Sequence, residues 1–537
     1  MAKYLKFTVL VVLFSVFSGF SSIPDHNKTN IDVLHYSLNL NLLPEAKQIK
    51  GITEIKFLLK DSAKKVSFNF YDNMIIHSVR LNNEKVDFTR HDNKISFHLP
   101  KSYVLGDTLL LNVDYEGTPE KKGLSGFVFG KINGQTLIYN LNEPDFASTW
   151  FPCNDVASDK ALLDIYLTND SAFTSVSNGK LEEVLTEGAK RTFHWKTYYP
   201  ISTYLICLYS SIYKNFDDYY VSQDKKDTMA IKYYVLPEHL EFAKKDFEDH
   251  PDMIDVYAKL FGEYPFIKEK YGVAEFLWQY GAMEHQTITG IGSNFVSGNK
   301  YFSDIYAHEL SHHWWGDAIA PGTWNDIWLN EGFATYSEAL YQEYKYGDNS
   351  LRAFMLSKFS KFFPGVLYKP GTDLFSQTEY DKGGWVLHML RWEVGDSAFF
   401  KILRTYFETF KYQSAVTNDF KEICEKLSGK DLTKFFDQWV YSGEGQINLS
   451  ADWQQKEIDK SYQIEFDFRQ TQTEYEVYNF TLPIKVIYQD GTSETLKAAI
   501  NKRKSTFTFT VPKKVERVLY DPQNWILLNL SNNKNNK

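Results

Sequence analysis

Residues 308–338 read HELSHHWWGDAIAPGTWNDIWLNEGFATYSE. The run opens on His308-Glu309-Leu310-Ser311-His312, which fits H-E-x-x-H. On a helix, side chains four positions apart share one face, so the imidazoles of His308 and His312 can reach a single ion. The surrounding pattern, residues 303–315, is helical in period and offers Ile305, Leu310, Trp314 and Trp315 for packing. A catalytic zinc takes three protein ligands and keeps a fourth position for water. His, Asp or Glu can supply the third. Glu331 stands nineteen positions after His312 and opens a second helical stretch, residues 331–346. Two antiparallel helices joined by a loop would bring it to the ion, giving a His2Glu site with one Zn2+ per chain. The choice of zinc over other divalent ions rests on ligand type. Zinc lowers the pKa of its water toward about 7, and a carboxylate beside it can take the proton. Glu309 directly follows a ligand, which makes it the candidate general base.

Outward from this segment the periodicity changes twice. Residues from about 31 to 213 form short β-branched or aromatic stretches with a tendency to alternate, such as 32–42, 50–59, 94–99 and 108–115. Asn82-Asn83 and Glu116-Gly117 are among the turns between them. After about residue 222 the period approaches 3.6 in 303–315, 331–346, 383–394 and 431–441, while 233–235 and 273–276 can supply strands. From about residue 447 the period returns to 2, and Asp490-Gly491 marks a hairpin. The expected organisation is multidomain: a signal peptide over residues 1–21, an N-terminal all-β domain over 22–222, an α+β catalytic domain over 223–446 and a C-terminal β-sandwich over 447–537.

Bulk properties narrow the function classes. At 537 residues the chain can bury roughly two to four sizeable cores. A hydrophobic share of 43% with 24% charged residues marks a globular protein rather than a disordered one. A formal charge of −9 leaves no basic surplus to neutralise phosphates, which argues against nucleic acid as a partner. Lys3 and Lys6, the apolar run 7–17 and the small residues Ser18, Gly19, Ser21 and Ser22 follow the pattern of a secretory leader, with cleavage after Ser21. The apolar core is shorter than the roughly 20 residues a bilayer span needs, so export to a periplasm or the medium, without stable membrane insertion, is the expectation. Three cysteines, Cys153, Cys207 and Cys424, allow at most one disulfide, and Cys207 lies in an apolar run that suits a buried free thiol.

Several motifs carry a resemblance. Residues 308–338 resemble the zinc region of the aminopeptidase N family of gluzincins, and Gly281-Ala282-Met283-Glu284-His285 is similar to that family's G-x-M-E-N exopeptidase motif. Trp150-Phe151-Pro152-Cys153, Pro200-Ile201-Ser202-Thr203-Tyr204, Tyr380-Asp381-Lys382-Gly383 and Phe435-Phe436-Asp437-Gln438-Trp439 match further signatures in the same order. The resemblance spans residues from roughly 30 to 530 and implies a thermolysin-like catalytic domain acting on peptides with a free N-terminus. It assigns the metal to His308, His312 and Glu331 and the base to Glu309. Glu284 becomes an anchor for the substrate α-ammonium, Glu143 in Asn142-Glu143-Pro144 a second, and Tyr380 the hydrogen-bond donor to the tetrahedral intermediate. Gly281, Ala282 and Met283 would lie along the substrate. Carboxylates bind an ammonium by charge-assisted hydrogen bonds, and a phenol aimed at a developing oxyanion is suitable chemistry.

This chain departs from the family pattern at His285, where Asn is usual, at His313 in place of Gln, and at Asp317 in place of Asn. Tyr280 occupies a position that lines the first side-chain pocket in relatives. The sequence ends after the β-sandwich, short of the large helical domain many relatives carry, which implies a more open cleft. An endopeptidase or epoxide hydrolase on the same metal site, and a catalytically silent binding protein, are the alternatives. The presence of Glu143 and Glu284 weighs against the first pair, and the full set of ligands, base and tyrosine against the last. Oligomeric state is not specified by the sequence.

Overall fold

The computed structural model describes residues 29–62 and 64–532, so the leader expected over residues 1–21 lies outside the described residues. Two compact units form. One runs to Trp324 and takes in Phe410–Ser414; the other holds Asn325–Thr409 and the chain from Ala415 onward.

The first unit begins all-β. Ile31–Leu43 and Gln48–Leu59 pair antiparallel at the centre of an eight-stranded sheet, and Ile31–Leu43 pairs in parallel with Leu162–Asp170 on its other side. Alternate residues of Ile31–Leu43 are buried, as a half-covered strand requires. The alternation slips at a bulge between Val33 and His35, which turns Leu34 to solvent. A five-stranded sheet follows, ordered Thr174–Ser177, Leu208–Ser211, Gln135–Leu141, Ser125–Ile132 and Lys121–Lys122. Its strand Gln135–Leu141 runs straight into Asn142 and Glu143.

A second five-stranded sheet is mixed. Lys214–Val221 pairs antiparallel with Thr228–Val235; Tyr271–Phe276 and Thr289–Gly292 continue in parallel, and Ala282–Met283 closes the edge antiparallel. Tyr271–Phe276 and Thr289–Gly292 are buried at every position, as inner parallel strands are. Helices His250–Phe261 and Ser303–Ser311 belong to the same unit. The Tyr257 hydroxyl donates to the Ala307 carbonyl at 3.1 Å, which ties one helix to the other.

In the second unit the main helices are Trp328–Tyr346, Asp348–Ser357, Gly383–Val394, Asp396–Phe410 and Thr417–Ser428. A C-terminal pair of sheets follows: Lys504–Val511, Ser461–Gln470, Ile447–Ile458 and Leu528–Asn532 in one, Ser493–Ile500, Phe480–Tyr488 and Val515–Tyr520 in the other. Tyr520 of the smaller sheet meets Phe468 of the larger edge-on at 5.8 Å, the sandwich core in miniature. The hairpin at Asp490-Gly491 joins Phe480–Tyr488 to Ser493–Ile500, with Gly491 at φ 81°.

Three helix limits differ from the periodic reading. The 303–315 stretch is helical only to Ser311, because His313 and Trp314 bond back three residues, to Leu310 and Ser311, and tighten the chain into a turn. The 331–346 helix starts earlier, at Trp328, since Trp328 and Leu329 are buried and join its first turn. Residues 431–441 divide into Thr433–Phe436 and a π-helical turn, Asp437–Tyr441. All three cysteines are buried free thiols. No helix of the described residues is long and apolar enough to cross a membrane.

Candidate active site

Helix Ser303–Ser311 buries Tyr306, Ala307 and Leu310 and places Asp304 in its first turn, where a carboxylate suits the helix dipole. His308 and His312 lie one turn apart with ring centroids at 4.8 Å. His312 follows the last helical residue and is 1% exposed. Its Nδ1 is 2.9 Å from the Trp315 carbonyl, which can only accept, so Nδ1 carries the proton and the lone pair is on Nε2. The turn that ends the helix early is therefore also what orients this imidazole. Its anchor is Trp314, whose indole donates to the Gly262 carbonyl at 2.9 Å.

Glu309 is 7% exposed and Glu284 4%. One carboxylate oxygen from each, and a ring nitrogen of His312, all lie within 4.8 Å of one another. Carboxylate oxygens of Glu143 and Glu284 also fall within 4.8 Å. Glu143 reaches this point from the first five-stranded sheet because Asn142 is locked. Asn142 Nδ2 donates to the carbonyls of Thr203 (3.0 Å) and Ile206 (2.7 Å), and its Oδ1 accepts from the Trp150 indole at 2.9 Å. The motifs around Trp150 and Thr203 thus serve the residue next to Glu143. Buried acids crowded together favour a bound cation or shared protons, since burial and mutual repulsion both penalise their charged forms.

Glu284 follows the edge strand Ala282–Met283, where Gly281 accepts a backbone bond from Gly292 at 3.1 Å. Met283 is buried, Gly281 and Ala282 are half-exposed, and Tyr280 is 48% exposed. His285 does not point back toward solvent. It is fully buried, with Nδ1 2.5 Å from the Tyr209 hydroxyl, and burial pushes its pKa down to about 3. A neutral imidazole bridging to the β-domain replaces the amide expected at this position.

The other two departures meet each other. His313 Nδ1 lies 2.7 Å from the Tyr264 hydroxyl, and its Nε2 is 3.8 Å from Asp317 Oδ2. Both side chains are fully buried. Burial, and then the Glu284 charge, hold the Asp317 carboxyl well above the usual range, which favours its neutral form. Lys160 donates to the main-chain carbonyls of Asp317 and Ala318 from the same side. Sequence reasoning did not find Asn142, Tyr209, Tyr264 or Lys160. The paired change at His313 and Asp317 was the available signal.

Glu331 and Tyr380 stand in the second unit. Glu331 is 3% exposed in the first turn of Trp328–Tyr346. Tyr380 is half-buried within a π-helical turn, Thr378–Lys382, that leads into Gly383–Val394. Such turns widen a helix locally and are frequent at functional sites. Gly332, next to Glu331, packs directly on Gly383; a Cβ at Gly332 would stand 2.8 Å from the Gly383 Cα. Two facing glycines therefore let the helix bearing Glu331 approach the segment bearing Tyr380. Lys382 is buried and donates to the Gly443 carbonyl at 2.6 Å, fixing the end of the π turn.

Residues 32–205 match the Peptidase M1 N-terminal domain, and residues 246–363 and 368–439 match the Peptidase family M1 domain. Probable aminopeptidase 2 of Sulfurisphaera tokodaii is 26% identical, over 72% of this chain and 52% of its own length. Glutamyl aminopeptidase of Rattus norvegicus is 25% identical, over 94% and 58%. Aminopeptidase N of Lactococcus lactis is 26% identical, over 68% and 46%. The chain spans about half the length of these curated relatives. Among solved structures, an M1 zinc metallopeptidase from Deinococcus radiodurans superposes with a TM-score of 0.67 at 24% identity, covering 77% of this chain and 94% of that one. Legionella pneumophila aminopeptidase A in complex with aspartic acid gives 0.82 at 16%, covering 95% and 61%. At these identities the structural likeness speaks for the fold.

Proposed function

Because the chain belongs to the M1 peptidase family, we propose that it is a zinc-dependent aminopeptidase hydrolysing the N-terminal bond of peptides. The observation that carries this reading is the cluster of buried carboxylates, Glu143 and Glu284, set beside Glu309 and His312. A free α-ammonium would neutralise the pair and accept their charge-assisted hydrogen bonds. A mid-chain peptide group carries no such charge and would leave both acids desolvated, so the same cluster disfavours internal cleavage.

His308, His312 and Glu331 are the proposed zinc ligands. The histidine pair fits that role, with both rings one turn apart and the His312 tautomer fixed by the Trp315 carbonyl. Zinc, when bound, supplies the Lewis acidity that polarises the scissile carbonyl and acidifies the attacking water. Glu309 receives the water's proton on its carboxylate and returns it to the leaving nitrogen. Tyr380 donates its hydroxyl to the oxyanion. Gly281, Ala282 and Met283 lie along the substrate, the half-exposed Gly281 offering backbone without a side chain. Export, to a periplasm or the medium, belongs to the same proposal and rests on the leader pattern of residues 1–21.

Metal analysis with a panel of aminoacyl fluorogenic amides tests the reading. The expected result is one zinc per chain, with turnover abolished by a chelator and restored by zinc. A folded, zinc-loaded chain inert across the whole panel would overturn it.

A further inference from the structure

Thr287, three residues beyond Glu284, has φ 67°. A β-branched residue is a genuine outlier in the left-handed region and persists there only when its surroundings hold it. Those surroundings are specific. Thr287 Oγ1 accepts from the Gly179 amide at 2.8 Å and from Lys270 Nζ at 3.2 Å, and the Thr287 carbonyl accepts from the same ammonium at 3.3 Å. Lys270 is buried; it also donates to the Ser177 carbonyl at 3.0 Å and lies 5.0 Å from the centre of the Trp195 ring. An ammonium has three protons to place, and here they meet protein acceptors and an aromatic face.

The neighbouring residues are held as well. The Gln286 carbonyl accepts from Asn178 Nδ2 at 2.7 Å, and the His285 ring meets the Tyr209 hydroxyl at 2.5 Å. Three consecutive residues after Glu284 are thus each pinned. Ser177 and Tyr209 lie in Thr174–Ser177 and Leu208–Ser211, while Asn178 and Gly179 continue directly from the former. These strands belong to the sheet whose strand Gln135–Leu141 delivers Glu143. One rigid sheet therefore carries one carboxylate and grips the turn behind the other.

We propose that Lys270 and Thr287 are positioning residues for N-terminus recognition: with Asn178 and Gly179 they clamp the turn after Glu284 and fix its spacing from Glu143. The proposal rests on the aminopeptidase reading and adds to it the part of the chain that sets the ammonium pocket. Neither residue needs to touch substrate.

The test uses the full-length, zinc-loaded chain and two inhibitors, L-leucine hydroxamate and 4-methylpentanohydroxamate. Both present a hydroxamate and the same carbon skeleton; only the first carries an α-ammonium. Thr287→Val keeps the β-branch and deletes the hydroxyl, and Lys270→Met removes the ammonium of the clamp. Each is expected to weaken L-leucine hydroxamate about ten-fold while 4-methylpentanohydroxamate stays within about two-fold, with KM for aminoacyl amides rising more than kcat falls. Thr287→Gly loses the whole side chain, hydroxyl included, but relieves the left-handed backbone, so its loss should be smaller; Thr287→Ser keeps the hydroxyl and should match wild type. The Thr287 series decides the matter even if Lys270→Met does not fold. Equal weakening of both hydroxamates, or no weakening of either, would overturn the clamp while leaving the aminopeptidase reading in place. A wild-type chain without aminoacyl hydrolase activity would remove both.

Discussion

Glu309 is the proposed general base, and its isosteric amide is the sharpest residue-level test. Glu309→Gln keeps the size and removes the proton acceptor, so kcat should fall about 10²- to 10⁴-fold with zinc content and unfolding midpoint unchanged. Turnover close to wild type would exclude it as the base. His388 offers a test of a different kind. It is buried, its Nε2 donates to the Asn524 carbonyl at 3.1 Å, and its Nδ1 accepts from Tyr336 at 3.1 Å. Burial pushes its pKa down to about 3. Between the unfolded value near 6.5 and about 3 the unfolded chain binds a proton that the folded chain refuses. The stability this neutral ring allows is therefore present above pH 6.5 and lost as pH falls, by at most about 1.4 kcal/mol per unit. Urea unfolding of wild type and His388→Gln from about pH 8 to about pH 5 should show wild type losing ground to the variant; parallel curves would contradict this. At this scale the sequence exposed His308, Glu309 and His312 through spacing alone. Asn142, Tyr209 and Lys270 stayed hidden, because each makes at least one of its bonds to a residue 60 or more positions away, which nothing local marks.

Facing glycines set the approach of two elements in the second unit. A Cβ at Gly332 would meet the Gly383 Cα at 2.8 Å, and neither backbone can yield as a side chain would. Gly332→Ala should therefore destabilise by about 1–3 kcal/mol and reduce activity beyond that cost, because Glu331 is its neighbour. A variant as stable and active as wild type would show that the helices separate freely. Element identity was legible where the period was long and clean, as in Gly383–Val394, which begins and ends where its apolar pattern does. It was less legible at Ser311. The apolar Trp314 and Trp315 continue the helical period, yet their backbone is drawn into the turn that holds His312. The hydrogen bonds of that turn overrode the pattern there. The π turn around Tyr380 had no periodic signature, because a single widened turn leaves the flanking apolar spacing almost unchanged.

At the scale of the whole chain, the two changes of period, near residues 222 and 447, divide the sequence into β-rich, α+β and again β-rich stretches. Alternation is a local property of half-buried strands, so it survives without knowledge of their partners. Sheet order is not local: the parallel pairing of Ile31–Leu43 with Leu162–Asp170 joins segments more than a hundred residues apart and left no trace in the sequence pattern. The proposed export adds a prediction at this scale, that the mature protein begins at Ser22; intact mass of the exported chain checks it, and a retained Met1 would contradict it. The central claim is that a zinc hydrolase site here reads a free N-terminus. Its most direct measurement compares one peptide, free and N-acetylated, as substrates of the zinc-loaded chain. The free peptide should lose its N-terminal residue and the acetylated one remain intact; cleavage of the acetylated peptide at a comparable rate would contradict the account.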